Sequence, residues 1–229
     1  MKFSDIIYPD NISCIICGQP ITPDNPYSLC KCCYEDLQRL KLKDYFLDEV
    51  VLQLKKLAVK GVKVIDNIYI MFRYDGIVKK LVHDIKYNEK TYLGRIFAAM
   101  MNDFMTSGHI SADYIVPVPM HDKKLHRRGY NQMQLIGDAL SKLSGVPVIN
   151  AAGRVHTAPD MYHLDKEERA LAIKGSFKSQ KLGIFYGKRL LIIDDVLTTG
   201  ATSGSLSKEI KKNNPNCLID LFIISRPHK

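Results

Sequence analysis

Leu190-Leu-Ile-Ile-Asp-Asp-Val-Leu-Thr-Thr-Gly-Ala-Thr202 decides how this chain reads. Four apolar residues bring Asp194 and Asp195 to the end of what should be a strand, because a strand covered on both faces is a continuous apolar run. Thr198, Thr199, Gly200, Ala201 and Thr202 follow, and helical spacing begins at Ser203. Small residues let backbone N–H groups turn inward, hydroxyls add donors, and the positive end of the next helix adds to the same place. Such a loop cradles a phosphate. The two carboxylates repel phosphate, but they accept hydrogen bonds from vicinal sugar hydroxyls. A phosphate site beside a diol site is expected to hold a ribose 5-phosphate.

Outward from that segment, strands and helices alternate. Residues 67–74, 114–118, 189–194 and 218–225 read as strands, and 76–86, 92–105, 131–143 and 203–212 carry helical apolar spacing. The alternation predicts an α/β fold with a mainly parallel sheet. Ligands in that class sit beyond the carboxyl ends of the strands, so the loops after Val118 and Asp194 are where a site is expected. Residues 45–59 are spaced as an amphipathic helix, with Lys55, Lys56, Lys60 and Lys63 as its solvated basic residues. The expected division is 1–40, a cysteine knuckle; 41–66, a linker helix; and 67–229, the main domain.

Five of the six cysteines fall between positions 14 and 33. Cys14 and Cys17, then Cys30 and Cys33, form two C-x-x-C pairs, a spacing that wraps a tetrahedral Zn²⁺. With four protein ligands the zinc would be structural, lacking an open position for chemistry. A register that uses Cys32 in place of Cys33 also fits the sequence, and Cys217 reads as a core residue.

The 229 residues carry 33 basic and 24 acidic side chains, a net charge of +9, which favours anionic partners such as nucleic acid and phosphorylated sugars. No stretch approaches the ~20 apolar residues of a membrane helix, so no membrane insertion is expected. The first eleven residues contain Asp5 and Asp10 and lack a signal-peptide apolar core, so a cytoplasmic location is expected.

The segment 190–202 resembles the signature of the type I phosphoribosyltransferases, which bind phosphoribosyl pyrophosphate (PRPP) with Mg²⁺. Tyr74-Asp-Gly76, Ile85-Lys-Tyr87, Val116-Pro-Val-Pro119, Arg128-Gly-Tyr-Asn-Gln132 and the cysteine knuckle together look like the ComF branch, a competence-protein family of that superfamily. The resemblance implies a phosphoribosyltransferase-like fold and support of DNA uptake in natural transformation, with the reaction itself left open. Two positions depart from the family pattern: Met161 stands where Gln is usual and Ala172 where Asn is usual, while Arg169, Gly175 and Phe177 fit.

In the family's chemistry, C1 of the ribose loses pyrophosphate and gains a nucleophile through an oxocarbenium-like transition state. Carried onto this chain, Thr198 to Thr202 would take the 5-phosphate, and Asp194 and Asp195 the ribose hydroxyls. A basic loop from Pro119 through Lys123, Lys124, Arg127 and Arg128 would face the pyrophosphate and its Mg²⁺. Thr198 stands where 6-oxopurine enzymes carry an acid, which disfavours hypoxanthine and guanine and leaves orotate, adenine and ammonia open. His83, His121, His126 and His163 are acid–base candidates by residue type alone. The alternative is a non-catalytic module that binds single-stranded DNA, a competence helicase or another DNA-uptake protein, with PRPP as a regulatory ligand.

Overall fold

The computed structural model describes residues 13–22, 24–42, 49–59, 61–154, 177–179 and 183–227. The central sheet is built from β3 (Asn67–Arg73), β4 (Tyr114–Pro117), β7 (Arg189–Val196) and β8 (Leu218–Arg226). Its four strands lie in the order β3-β8-β7-β4, and every pairing is parallel. Arg73, Pro117, Val196 and Arg226 therefore end together at one edge, where the expected ligand loops begin. The α/β class, the parallel sheet and the preceding cysteine cluster all stand as expected.

Strand period two divides the core between the two faces of the sheet. Leu191 and Ile193 of β7 face one side, with Ile115 and Phe222. They pack on helices α3 (Gly76–Tyr87), α4 (Leu93–Ser107) and α6 (Gln132–Ser144). Leu190 and Ile192 face the other side, against Leu54 of α2 (Glu49–Lys55) and Leu206 and Ile210 of α7 (Ala201–Asn213). Each fully buried aliphatic side chain of this kind contributes roughly 1.5–3 kcal/mol relative to exposure. Gly137 of α6 is where helix and sheet come closest, since a Cβ there would lie 2.9 Å from the Pro117 ring. That approach brings the first turn of α6 over the end of β4.

Helix α1 (Lys31–Arg39) starts after Cys30, carries Cys33 and packs onto the α3 face; Leu29 and Leu37 are fully buried in the same core as Leu81 and Met101. Tyr27 donates from its hydroxyl to Asp103 of α4 at 2.6 Å, and Lys80 of α3 donates to the Ile16 carbonyl at 2.9 Å. Segment 40–42 then runs antiparallel beside β3, with Leu42 N donating to Met71 O at 3.0 Å.

Two expectations change in detail, and one element pair is new. The helix expected over 45–59 is described only as α2, which stops at Lys55; Ala58–Val59 forms β1, which pairs with β2 (Val62–Lys63). The basic loop is instead a short helix, α5 (Asp122–Arg128), with the His121 imidazole accepting from Lys123 N at 3.0 Å and Gly129 ending it at φ 81°. A small antiparallel pair, β5 (Ala152–Arg154) with β6 (Phe177–Ser179), lies on the α7 face; it has no counterpart in the sequence reading. The departures at Met161 and Ala172, with Arg169, Gly175, His163 and Lys60, lie outside the described residues.

Candidate functional site

Adjacent residues of a strand point to opposite faces, and the two carboxylates follow that rule. Asp195 is buried on the α3–α6 face. Its Oδ1 accepts from Lys86 Nζ of α3 at 2.6 Å and its Oδ2 from Gln132 Nε2 of α6 at 2.7 Å. Gln132 in turn accepts through Oε1 from Arg128. Burial works against the charge on Lys86, but the Asp195 carboxylate outweighs it and holds the lysine pKa above its ordinary value.

Asp194 is half-buried on the α7 face. Its Oδ2 accepts from Ser203 Oγ, in the first turn of α7, at 2.9 Å, and its Oδ1 from the Asp195 backbone N–H at 2.9 Å. Burial, then the neighbouring Asp195 charge, pushes the Asp194 carboxyl up to about 7. Without a bound partner, this carboxyl resists ionisation.

The loop beyond them is pinned from behind. Arg226, at the end of β8, donates to the carbonyls of Leu197 at 2.7 Å and Thr198 at 3.0 Å. Gly200 is left-handed at φ 73°, a conformation L side chains adopt only with strain, and its Cβ position lies 2.8 Å from Leu54 Cδ1. Among the described residues nothing accepts from the backbone N–H groups of Thr198, Thr199 or Gly200. Thr198 is exposed, Thr199, Ala201 and Thr202 are half-buried, and Gly200 is buried. Unpaired N–H groups, a left-handed turn and a helix start are features that can bind an anion.

Segments quoted separately from the sequence meet here. Tyr130 donates from its hydroxyl to the Ile85 carbonyl at 2.6 Å, Asn131 Nδ2 to the Val118 carbonyl at 3.1 Å, and the Arg128 guanidinium lies 5.3 Å from the Tyr87 ring centroid. Lys123, Lys124 and Arg127 lie on exposed α5, and Pro119 is half-buried just before it. Of the expected pyrophosphate group, Arg128 is tied to the diacid through Gln132. No histidine among the described residues bonds to either carboxylate; His121 caps α5, and His83 stacks on Tyr87 at 4.9 Å.

Sequence reasoning assigned no role to Lys86, Gln132, Ser203 or Arg226. The first two stood inside quoted motifs, so a partner search between those motifs would have found them. Ser203 and Arg226 carry no local signal, because only the tertiary fold brings them to β7.

The cysteine expectation is answered by geometry. The Sγ atoms of Cys14, Cys17, Cys30 and Cys33 all lie within 4.8 Å of one another, with Cys17 and Cys30 at 3.7 Å, while Cys32 is exposed and outside the set. Zinc–sulfur bonds of about 2.3 Å give tetrahedral edges of about 3.8 Å, so the donor set fits Zn²⁺. Burial opposes ionisation of Cys14, yet the backbone N–H groups of Cys17, Cys30 and Ile16 bring its pKa down to about 6. These four thiols can hold a zinc. No helix of the described residues is long and apolar enough to cross a membrane.

No protein-family model matches the chain. It is 27% identical over 154 residues to Competence protein F of Haemophilus influenzae, covering 64% of this chain and 67% of that protein. It is 27% and 26% identical over 146 residues to DNA utilization protein YhgH of Salmonella typhi and of Escherichia coli, in each case covering 61% of this chain and 63% of the relative. The chain thus spans less than two thirds of the YhgH proteins. Among solved structures, glutamine PRPP amidotransferase from B. subtilis, complexed with ADP and GMP, matches at TM-score 0.37 and 14% identity over 58% of this chain and 25% of that one. Adenine phosphoribosyltransferase from Leishmania tarentolae matches at TM-score 0.29 and 13% identity, over 62% and 74% of the respective chains. The resemblance to competence proteins read from the motifs is thereby borne out by homologues.

Proposed function

We propose that this chain binds PRPP with Mg²⁺ at the carboxyl end of β7 and acts in DNA uptake in the cytoplasm, as the competence and DNA-utilization names of its relatives suggest. The observation that carries this reading is the loop at 198–200, whose carbonyl side is held by Arg226 while its N–H groups have no acceptor among the described residues. The 5-phosphate would lie on Thr198, Thr199, Gly200, Ala201 and Thr202. Asp194 and Asp195 would take the ribose hydroxyls, since each carboxylate oxygen has a second accepting direction left by its present partner. Arg128, with Lys123, Lys124, Arg127 and the Pro119 segment, would face the diphosphate. Bound Mg²⁺ would neutralise diphosphate charge and the structural Zn²⁺ would hold the knuckle.

If the site transfers the pentosyl group, the bond from C1 to the diphosphate oxygen breaks with its electron pair leaving on pyrophosphate. The lone pair of an acceptor nitrogen then forms the new C1–N bond, and that nitrogen loses a proton. Protein groups contribute position and charge to such a step rather than covalent chemistry.

Calorimetric titration with Mg²⁺–PRPP tests the reading. Saturable binding that Asp194→Asn/Asp195→Asn abolishes is the expected result; a folded wild type that shows no saturable binding overturns it.

A second reading has its own observation. Tyr87 is 61% exposed with the Arg128 guanidinium 5.3 Å from its ring centroid, and Lys123, Lys124 and Arg127 are exposed on the same short helix as Arg128, so an accessible ring and cations come from neighbouring segments. It predicts single-stranded DNA binding that falls steeply with salt and is weakened by Tyr87→Ala.

A further inference from the structure

Gly204 stands in the first turn of α7 and donates from its N–H to the Gly200 carbonyl at 2.8 Å. Alanine is the better residue in a helix, so a glycine here needs a packing reason. Leu54 of α2 supplies it. A Cβ on Gly204 would lie 3.1 Å from Leu54 Cδ2 and 3.1 Å from Leu57 Cδ1. A Cβ on Gly200 would lie 2.8 Å from Leu54 Cδ1 and 3.0 Å from its Cδ2 and Cγ. One isobutyl group therefore fills the space of two missing side chains, one helical turn apart. Leu54 is 4% exposed and shares its core with Val51, Leu197 and Leu206.

The loop is thus anchored at both ends on its concealed side. Arg226 holds the carbonyls of Leu197 and Thr198 where the loop leaves β7, and Leu54 supports the left-handed turn at Gly200 where it enters α7. A short backbone fixed at both ends has few ways to turn between them, so the two anchors set where the N–H groups of Thr198, Thr199 and Gly200 point. Interiors are close-packed, and the loop cannot settle inward while the leucine fills that space. Leu54 lies outside every motif quoted from the sequence, in the stretch 41–66 expected to serve only as a linker.

We propose that Leu54 is a positioning residue for the loop 198–202: seated against Gly200 and Gly204, it fixes the direction of the N–H groups that would receive the 5-phosphate. The proposal rests on the ribose-phosphate reading and adds to it a supporting wall that comes from the segment between the knuckle and the main domain. Leu54 is buried, so it acts through the two glycines and not on the ligand. Hydrogen bonds weaken steeply as the donor angle closes, so a loop that tilts into a void behind it loses grip on a phosphate.

Leu54→Ala opens a void behind the loop, and Leu54→Met keeps the volume. Ile210→Ala opens a void in the same core, farther along α7. Each protein is titrated calorimetrically with ribose 5-phosphate and with Mg²⁺–PRPP, well below its melting temperature, and the amide resonances of Thr198, Thr199 and Gly200 are followed without ligand. Leu54→Ala should weaken both ligands about tenfold or more, the equivalent of one lost hydrogen bond to a charged group, and should displace the three amide signals. Leu54→Met should bind as wild type does. Ile210→Ala should melt lower, as Leu54→Ala does, with its affinity and the three signals unchanged. Should Leu54→Ala fail to fold, Leu54→Val against Ile210→Val makes the same comparison with smaller voids. Wild-type affinity in a folded Leu54→Ala overturns the proposal while leaving the ribose-phosphate reading intact. An equal loss in Ile210→Ala also overturns it, because affinity then follows stability and not the loop. A wild type that binds neither ligand removes the ribose-phosphate reading, and the amide signals then decide the role of Leu54: displaced by Leu54→Ala alone they support it, and unmoved they overturn it.

Discussion

Lys86→Met isolates what holds the buried half of the diacid. Lys86 and Asp195 meet at 2.6 Å with side chains 19% and 9% exposed. Methionine preserves most of the stem volume, so the loss is chiefly that of the positive charge. Removing one partner of a buried pair strands the other charge, which typically costs about 3–5 kcal/mol. Asp195 keeps its bond from Gln132, and Lys86 is not fully enclosed, so the lower end, about 3 kcal/mol, is expected. For a chain of this size that is a fall in melting temperature of roughly 6–12 °C. Urea unfolding followed by far-UV circular dichroism at neutral pH reads it directly. Asp195→Asn placed on Lys86→Met should recover most of the loss, giving a coupling of about 2 kcal/mol or more in the double-mutant cycle. The pH dependence carries a definite sign. The Lys86 pKa is raised in the folded state, so the pair's contribution is complete below the unfolded lysine value of about 10.4 and fades only as pH rises through the folded value. A Lys86→Met variant within about 1 kcal/mol of wild type, with no coupling to Asp195→Asn, would show that the lysine does not neutralise this carboxylate.

Asp194 behaves in the opposite sense. With a folded pKa of about 7 against 3.8, the unfolded chain releases that proton first, so stability falls as pH rises through this interval; Asp194→Asn should flatten the decline in a pH series of melts and raise the melting temperature at mildly alkaline pH, while weakening PRPP binding. Gly200→Ala should cost about 1–2 kcal/mol for its left-handed backbone as well as crowding Leu54; in a Leu54→Ala background, itself destabilised by a lost core side chain, Gly200→Ala should cost only the backbone part, which chemical denaturation of both single variants and the double variant separates. Cys33→Ser should lose its zinc and melt well below wild type, since Leu29 and Leu37 join the knuckle to the main core, whereas Cys32→Ser should retain one zinc per chain by atomic absorption.

The diacid, the small-residue loop and the cysteine pairs were legible because each is local: its residues are neighbours in sequence and their chemistry follows from spacing. The parallel sheet was legible too, since 189–194 and 218–225 are apolar runs of strand length. What escaped was set by tertiary contact or by short elements. Helix α5 has Leu125 as its one aliphatic residue and depends on His121 and Gly129 at its ends, so periodicity had nothing to register. β5 and β6 are three residues each and are held by pairing with one another and by α7. The reading of Asp194 and Asp195 as one clamp missed a consequence of the strand period, which assigns them to different helices and gives them different partners.

That assignment has a consequence for how the site can change over time. Each carboxylate takes its side-chain hydrogen bonds from its own layer of helices, Asp195 from α3 and α6 and Asp194 from α7, while the two charges stay coupled, so a substitution in either layer is felt by both acids. Insertion or deletion is another matter. A slip of one residue along β7 would exchange the two acids between layers, turn Leu190 and Ile192 toward the wrong helices, and in one of its two directions put Val196 opposite Lys86. The strand thus acts as a reading frame for the site, tolerant of spelling changes and intolerant of frameshifts.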